Sequence, residues 1–154
     1  MAEYRVVPIA AADTHDLRLR VLRDGVPSSA VEWPGDGLDT TLHLGVIDAC
    51  NTIVAISTWL AMPSPDVTEA GVAGVQLRGM ATDPSPATRG AGVGALLLSA
   101  GLDAARERNA DHVWANARTA VLGFYTYAGF DIMGDEFMSE ATGILHHRIL
   151  LRLR

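Results

Sequence analysis

The sequence predicts an α+β domain, a sheet with helices on both faces. Three observations carry that expectation. The first half of the chain is rich in β-branched and aliphatic runs separated by turn residues. The second half alternates strand and helix patterns in the order β-α-β-α-β-β. Within it lies Arg89-Gly90-Ala91-Gly92-Val93-Gly94, three glycines at alternate positions that run directly into the helix-forming Ala95-Leu96-Leu97-Leu98-Ser99-Ala100.

Taken in order, residues 4–8 form a short β-like opening. Asp13 or Thr14 fits the N-cap of a helix whose apolar residues Leu17, Val21 and Leu22 follow at helical spacing, and Gly25 and Pro27 end it. Residues 28–39, with Trp33-Pro34-Gly35-Asp36-Gly37, carry the punctuation of an irregular loop suited to border a substrate pocket. Residues 42–48 and 53–60 read as a hairpin joined by Ala49-Cys50-Asn51-Thr52, with His43 and Ser57 as structural polar groups. A turn-rich loop at 63–74 precedes a strand at 75–82, where Gly79 signals a bulge or a close backbone approach.

After the glycines, Leu96, Leu97, Ala100, Ala104 and Ala105 share one helical face, and Asp103, Arg106, Glu107 and Arg108 lie mostly on the other. That amphipathic helix ends near Asn109. Residues 112–116 return as a strand, 119–127 as a helix stopped by Gly129, and 130–133 and 145–153 as closing strands. The stretch 131–142 also reads as loop, its acids Asp131, Asp135, Glu136 and Glu140 either solvated or placed to attract a cationic amine.

Composition narrows the function classes. A chain of 154 residues with 49% hydrophobic and 19% charged residues makes one domain with a substantial core. The longest apolar run, near 93–102, is interrupted by Ser and Gly and is too short to span a bilayer. The first residues, with Glu3 and Arg5, lack the apolar core of a signal peptide. A single cysteine, Cys50, excludes an intrachain disulfide and a multi-cysteine metal site and fits a reducing cytoplasm, so no metal is expected. The net charge of −6 argues against a nucleic-acid surface. All 12 basic residues are arginine, so the protein carries no side-chain amine of its own.

The glycine turn reads equally as an anion cradle or as a plain connection between a strand and a helix. Glycine admits positive φ and lets a ligand approach main-chain N–H groups that a Cβ would shield. The first turn of a helix leaves about four N–H groups without intrahelical partners and concentrates roughly half a positive charge. Arg89 adds a full charge at the rim. A nucleoside-triphosphate P-loop requires a lysine that this chain lacks. A dinucleotide fingerprint fits loosely at Gly90, Gly92 and Ala95, but residues 83–88, with two prolines, separate the glycines from the strand, and the acidic ribose ligand is missing.

What remains is the pattern [R/Q]-x-x-G-x-[G/A] at a helix start, and in it the chain resembles the GCN5-related N-acetyltransferase (GNAT) superfamily. There the turn grips the pyrophosphate of acetyl coenzyme A. The likeness extends upstream to Leu77-Arg78-Gly79-Met80-Ala81-Thr82-Asp83-Pro84, which resembles the family's fourth strand. Downstream, Ala115-Asn116-Ala117-Arg118 and Phe124-Tyr125-Thr126-Tyr127-Ala128-Gly129-Phe130 resemble its fifth strand and fourth helix. Gly134-Asp135-Glu136-Phe137, followed by Gly143-Ile144-Leu145-His146, is similar to a bacterial subgroup, the ElaA-like acyltransferases. The matching motifs cover roughly residues 75–150. One departure is that Ser85-Pro86-Ala87-Thr88 separates Pro84 from Arg89, where the family usually has two residues.

The resemblance implies one domain over residues 1–154 and a mixed, mostly antiparallel sheet of about seven strands. It implies that the fourth and fifth strands splay and that pantetheine bonds to main chain at Met80, Ala81 and Thr82, a form of strand addition by a ligand. A backbone N–H near Met80 would polarise the thioester carbonyl. Arg89, Gly90, Ala91, Gly92, Val93 and Gly94 would hold the pyrophosphate, and Asn116 and Phe124 would contact the cofactor; Asn116 fits a helix cap equally well. Tyr125 becomes the candidate general acid for the leaving thiolate, and His146 and Glu136 the candidate bases, with a water relay as the alternative to both.

The function implied is acetyl-CoA-dependent N-acetylation of an amine on a small molecule or peptide, by direct attack in a ternary complex. A non-catalytic acyl-CoA sensor with the same fold is the alternative. Partners implied are acetyl-CoA and an amine acceptor, with no nucleic acid and no membrane, and edge strands offer a surface for a homodimer.

Overall fold

Seven strands form one sheet in the order β1-β2-β3-β4-β5-β7-β6. They are β1 (Arg5–Pro8), β2 (Leu42–Ile47), β3 (Ile53–Ala61), β4 (Gly74–Thr82), β5 (His112–Arg118), β6 (Asp131–Met138) and β7 (Leu145–Arg152). The computed structural model describes residues 3–85, 87–88 and 90–154. Every neighbouring pair is antiparallel except β4 with β5. The expected mixed, mostly antiparallel sheet of seven strands is therefore what the chain forms.

The parallel pair is short. Gly74, Val75 and Gln76 face His112, Val113 and Trp114, and the ladder ends there. Beyond that point β4 stays with β3 as far as Thr82, opposite Ala55, while β5 stays with β7 as far as Arg118, opposite His146. A wedge-shaped gap thus opens inside the sheet. Its closed end is fastened by His112, whose Nε2 accepts the Ser64 N–H at 2.9 Å and whose ring lies so close to Gly74 that a Cβ there would overlap it.

Gly79 does both things its position suggested. Ile56 faces Ala81 and Thr58 faces Arg78, so β4 carries one extra residue at Gly79-Met80, a β-bulge with φ of +64° at Gly79. An added Cβ would also sit 2.8 Å from Trp33 Cζ3.

Helices cover both faces. A continuous helical segment at residues 11–22, here α1, begins with a tight turn (Ala11–Thr14), continues through His15–Leu17 and widens over Arg18–Leu22. It buries Leu17 on Ile56 and Ala81. On the opposite face lie α2 (Val93–Glu107) and α3 (Leu122–Tyr127), the latter preceded by a tight turn at Thr119–Val121. There the main core gathers Leu97, Leu98, Leu102 and Tyr125 over Trp59, Leu77, Val113 and Ile149. Gly101 is the contact point of α2 with the sheet, because a Cβ there would overlap the Trp59 indole. Among the described residues, no helix is long and apolar enough to cross a membrane.

Three local expectations need correction. Neither Asp13 nor Thr14 caps through its side chain: the helical segment already starts at Ala11, Asp13 accepts the Ala10 N–H through Oδ2 at 2.9 Å, and Thr14, at the N-cap position of His15–Leu17, donates Oγ1 to the Ala11 carbonyl at 2.7 Å. β5 runs on to Arg118 because β7 pairs with it throughout. The stretch 131–142 is not a loop up to its last turn: β6 extends to Met138, with a wide bulge where Met133 faces Arg148 and Phe137 faces His146.

Two outcomes are expected. Gly101→Val forces Trp59 from its seat and should lower stability by about 1–3 kcal/mol, read from the urea midpoint. His112 is buried neutral, and burial pulls its pKa below the ordinary 6.5. The unfolded chain therefore binds the extra proton first, so stability is full above 6.5 and declines as pH falls below it, measurable as a falling midpoint that His112→Gln flattens.

Candidate active site

The parted strands, the glycine turn and α3 converge at one place. Thr82 ends β4, Gly94 lies in the first turn of α2, and Phe124 lies in α3. A Cβ on Gly94 would stand 3.5 Å from Phe124 Cε1 and 4.0 Å from Thr82 Oγ1. The first turn of α2 is therefore close to both the end of β4 and α3.

In the turn, Gly90 and Gly92 take φ of +77° and +76°, and among the described residues, chain neighbours aside, no atom lies within 4 Å of where a Cβ would stand on either. Side chains there would strain the backbone and project into that open space. The first helix-type bond of α2 runs from the Leu96 N–H to the Gly92 carbonyl at 3.0 Å. The Val93, Gly94 and Ala95 N–H groups therefore precede the helical ladder, and no acidic residue stands in this first turn to compete for them. Gly90, Ala91 and Gly92 are exposed, while Val93 is buried and anchors the turn. Consecutive turns hold the approach: Ser85 N–H to Asp83 Oδ1 at 2.9 Å, Thr88 N–H to the Ser85 carbonyl at 3.1 Å, and Ala91 N–H to the Thr88 carbonyl at 3.1 Å. Two residues singled out from the sequence, Arg89 and Pro86, lie outside the described residues.

Tyr125 is buried, edge-on to Phe124 at 5.0 Å and to Phe130 at 5.7 Å between ring centroids. Its hydroxyl points across to β4 and donates to Met80 Sδ at 3.7 Å. Burial pushes its pKa up to about 12. The phenol is thus protonated throughout the neutral range, the state an acid needs. Ala81 is buried against α1, whereas Met80 and Thr82 are partly exposed along the gap.

A groove of about 630 Å³ runs between α2 and α3, lined by Leu98, Leu102, Arg106, Phe124, Tyr127 and Ala128. It continues away from the glycine turn along the same face of the sheet. These are dimensions and an apolar lining suited to part of a cofactor-sized ligand.

The opposite face is arranged differently. Strand alternation places Trp114, Asn116 and Arg118 of β5 on the α1 side, opposite Val113, Ala115 and Ala117 in the main core. Asn116 is exposed there and caps no helix; the tight turn that follows β5 has Arg118 at its N-cap. His146 of β7 stands opposite Arg118 and shares its face. Its ring stacks on Phe137 at 5.8 Å, and its Nδ1 lies 2.7 Å from the Ile144 carbonyl. A carbonyl only accepts, so Nδ1 donates in this contact, and in the neutral ring Nε2 is the acceptor. Glu136 precedes Phe137 and faces the other way, where its Oε2 accepts the Thr119 hydroxyl at 2.8 Å. The two candidate bases are therefore on opposite faces of the sheet.

Sequence reading missed a buried knot that fixes the 28–39 loop over β3 and β4. Arg18, fully buried, pairs with Asp36 at 2.6 Å, donates to Thr58 Oγ1 at 2.8 Å and lies 3.8 Å from the Trp33 ring centroid. Arg78 joins Asp36 at 2.9 Å, and His43 bridges Thr58 and the Asp36 carbonyl at 2.8 and 2.9 Å. Burial by itself would raise the Asp36 pKa; the bonds from Arg18, the Trp33 N–H and Arg78 outweigh it and hold the carboxyl at about 2. The only sequence signal was His43 within a hairpin. A helical arginine gave none.

Comparison with known proteins agrees with this geometry. A family profile described as "Acetyltransferase (GNAT) family" matches residues 52–130. The uncharacterized N-acetyltransferase YitI of Bacillus subtilis (strain 168) is 29% identical over 147 residues, which are 96% of this chain and 94% of that protein. Escherichia coli ElaA has the same fold, with a TM-score of 0.73 at 19% identity over 97% of this chain and 99% of that one. FeeM, an N-acyl amino acid synthase from uncultured soil microbes, superposes with a TM-score of 0.78 at 12% identity over 99% of this chain and 92% of that one. With the profile matched over half its length, a fold shared with both structures and a sheet parted beside a glycine turn, the chain belongs to the GNAT family and is an acyltransferase.

Proposed function

We propose that this protein is an acetyl-CoA-dependent N-acetyltransferase in which cofactor and acceptor meet at the gap between β4 and β5 from opposite faces of the sheet. The observation that carries the reading is the glycine turn, set against the open end of that gap with the buried Tyr125 hydroxyl aimed across it at Met80.

Acetyl-CoA supplies a thioester carbonyl activated toward an amine. The N–H groups from Gly92 to Ala95, with Arg89, hold its pyrophosphate at the positive end of α2. Main-chain groups of Met80, Ala81 and Thr82, which have no β5 partner, take the pantetheine amides in the manner of a strand. The N–H near Met80 serves the developing oxyanion, and the bulge at Gly79 sets the direction of that peptide. Phe124 closes the wall beside the turn, and Asn116 offers a polar contact from the facing strand.

An alkyl amine with a pKa near 10.4 is neutral in only roughly one molecule in several thousand at pH 7, so a base must take its proton. His146 fits this part better than Glu136, because its free Nε2 lies on the face open to an acceptor. As the N–C bond forms and the C–S bond breaks, the amine proton passes to that base, directly or through water. Tyr125 gives its proton to the departing thiolate.

Three measurements test the reading. Tyr125→Phe should lower kcat by roughly 10²-fold while leaving acetyl-CoA affinity near the wild type; equal turnover removes Tyr125 from the mechanism. Gly92→Val should abolish acetyl-CoA binding by calorimetry, and unchanged affinity removes the cradle. A coenzyme A release assay over a panel of amines, run beside acetyl-CoA binding, separates an enzyme from a sensor: tight binding with no turnover on any acceptor favours the sensor.

A further inference from the structure

Two guanidiniums on the α1 side of the sheet have no part in the chemistry above. Arg118 ends β5 and reaches α1, where its Nη2 donates to the Leu22 carbonyl at 2.8 Å. The next residue, Arg23, donates Nε to the Ala30 carbonyl at 2.9 Å, and its Cζ lies 5.1 Å from the Trp33 ring centroid. Both side chains are half-buried, and the carbonyl that Arg118 bonds belongs to the residue before Arg23.

Their arginine neighbours on this face each have a carboxylate partner. Arg18 and Arg78 share Asp36, and Arg148 pairs with Asp66 at 3.3 Å. Among the described residues, neither Arg23 nor Arg118 forms an ion pair. Burial, then the charges of Arg118 and Arg18, pull the Arg23 pKa below its ordinary value, and burial does the same to Arg118. Two half-buried like charges without a counter-ion are an unfavourable arrangement that an incoming anion reverses. A guanidinium fork suits a carboxylate, which it can bind through two parallel bonds.

The position decides which anion this is. Trp33, which Arg23 overlies, packs directly on Gly79, the residue before Met80 at the gap. Arg118 stands opposite His146 in the β5–β7 register. The pair thus flanks the route to the reacting centre, on the face away from α2 and its phosphate turn. Resting on the transferase reading, we propose that the acceptor is a small aminocarboxylate, a free amino acid or close relative, whose carboxylate is gripped by Arg23 and Arg118 while its amine enters the gap. These two residues set specificity and do not touch the reacting atoms. The acidic stretch at Asp131, Asp135 and Glu136 is exposed along β6, so a cationic acceptor finds no comparable built site there.

The experiment measures acetyl transfer by the whole protein to amino acids, each paired with its carboxamide, across aliphatic, aromatic and acidic side chains. The expected result is a preference for the carboxylate of about tenfold or more in kcat/KM, carried by KM and reduced by added salt. Arg23→Gln and Arg118→Gln should each erase most of that preference, and Arg118→Lys should keep part of it. Arg118 also caps a carbonyl of α1, and that structural role alone predicts a lower melting temperature with an unaltered carboxylate-to-carboxamide ratio. A ratio near one in the wild type, or one that survives both substitutions, overturns the proposal. If the wild type binds acetyl-CoA and transfers to amines without regard to charge, only this inference falls. If it binds no acetyl-CoA, the transferase reading falls and this inference with it. If it binds acetyl-CoA but turns nothing over, calorimetry of the same amino acids against the coenzyme A complex decides, and absent binding overturns the inference.

Discussion

The parallel ladder between β4 and β5 ends after Gln76 and Trp114, and the rest of the architecture follows from that early stop. A sheet normally satisfies every interior backbone group by pairing neighbours. Here two central strands each keep their outer partner and give up the inner one. The result is a slot with hydrogen-bonding walls, held open by β3 on one side and β7 on the other. Nothing so open holds its shape without a rigid closed end, and His112, wedged against Gly74 and bonded to the Ser64 N–H, provides one.

The two faces of the sheet then take different work. On one, α2 and α3 pack on Trp59, Leu77 and Val113, so the glycine turn is held by the largest apolar cluster in the molecule. The proposed phosphate cradle needs donors that stay put, and α2 is anchored through Val93 and Leu97. On the other face, the half of the sheet formed by β5, β7 and β6 bears Asn116, Arg118, His146 and Arg148 at partly or fully exposed positions. On the proposed reading, rigid donors serve the cofactor and adaptable side chains serve the acceptor.

Local patterns made much of this legible. Hydrophobic period, turn residues and the glycine spacing located α2 and every strand but β6 within a residue or two, because those signals depend only on near neighbours along the chain. Gly79 was read as a bulge or a close approach and is both, since a glycine inside a strand has few other reasons to be there. Failures came where long-range pairing overrides local preference. The acidic stretch from 131 looked like loop, yet β7 supplies a partner that draws it into an edge strand as far as Met138. Glu136 and His146 looked interchangeable until the pairing of Phe137 with His146 put them on opposite faces. Arg18 carried no signal, because a buried arginine declares itself only through a carboxylate 18 residues away in sequence.

The knot around Asp36 also divides the molecule by its response to ionic strength. Charges that are dry and in direct contact are little screened by salt, whereas half-exposed ones lose their reach beyond a Debye length of about 8–10 Å. Arg18, with none of its side chain exposed, and Asp36 therefore keep the 28–39 loop in place in brine as in dilute buffer, while the exposed Asp16–Arg20 pair contributes little in either. A frame insensitive to salt carries an edge, at Arg23, that is sensitive to it. On the proposed reading, salt would release a bound carboxylate without loosening the loop that presents it.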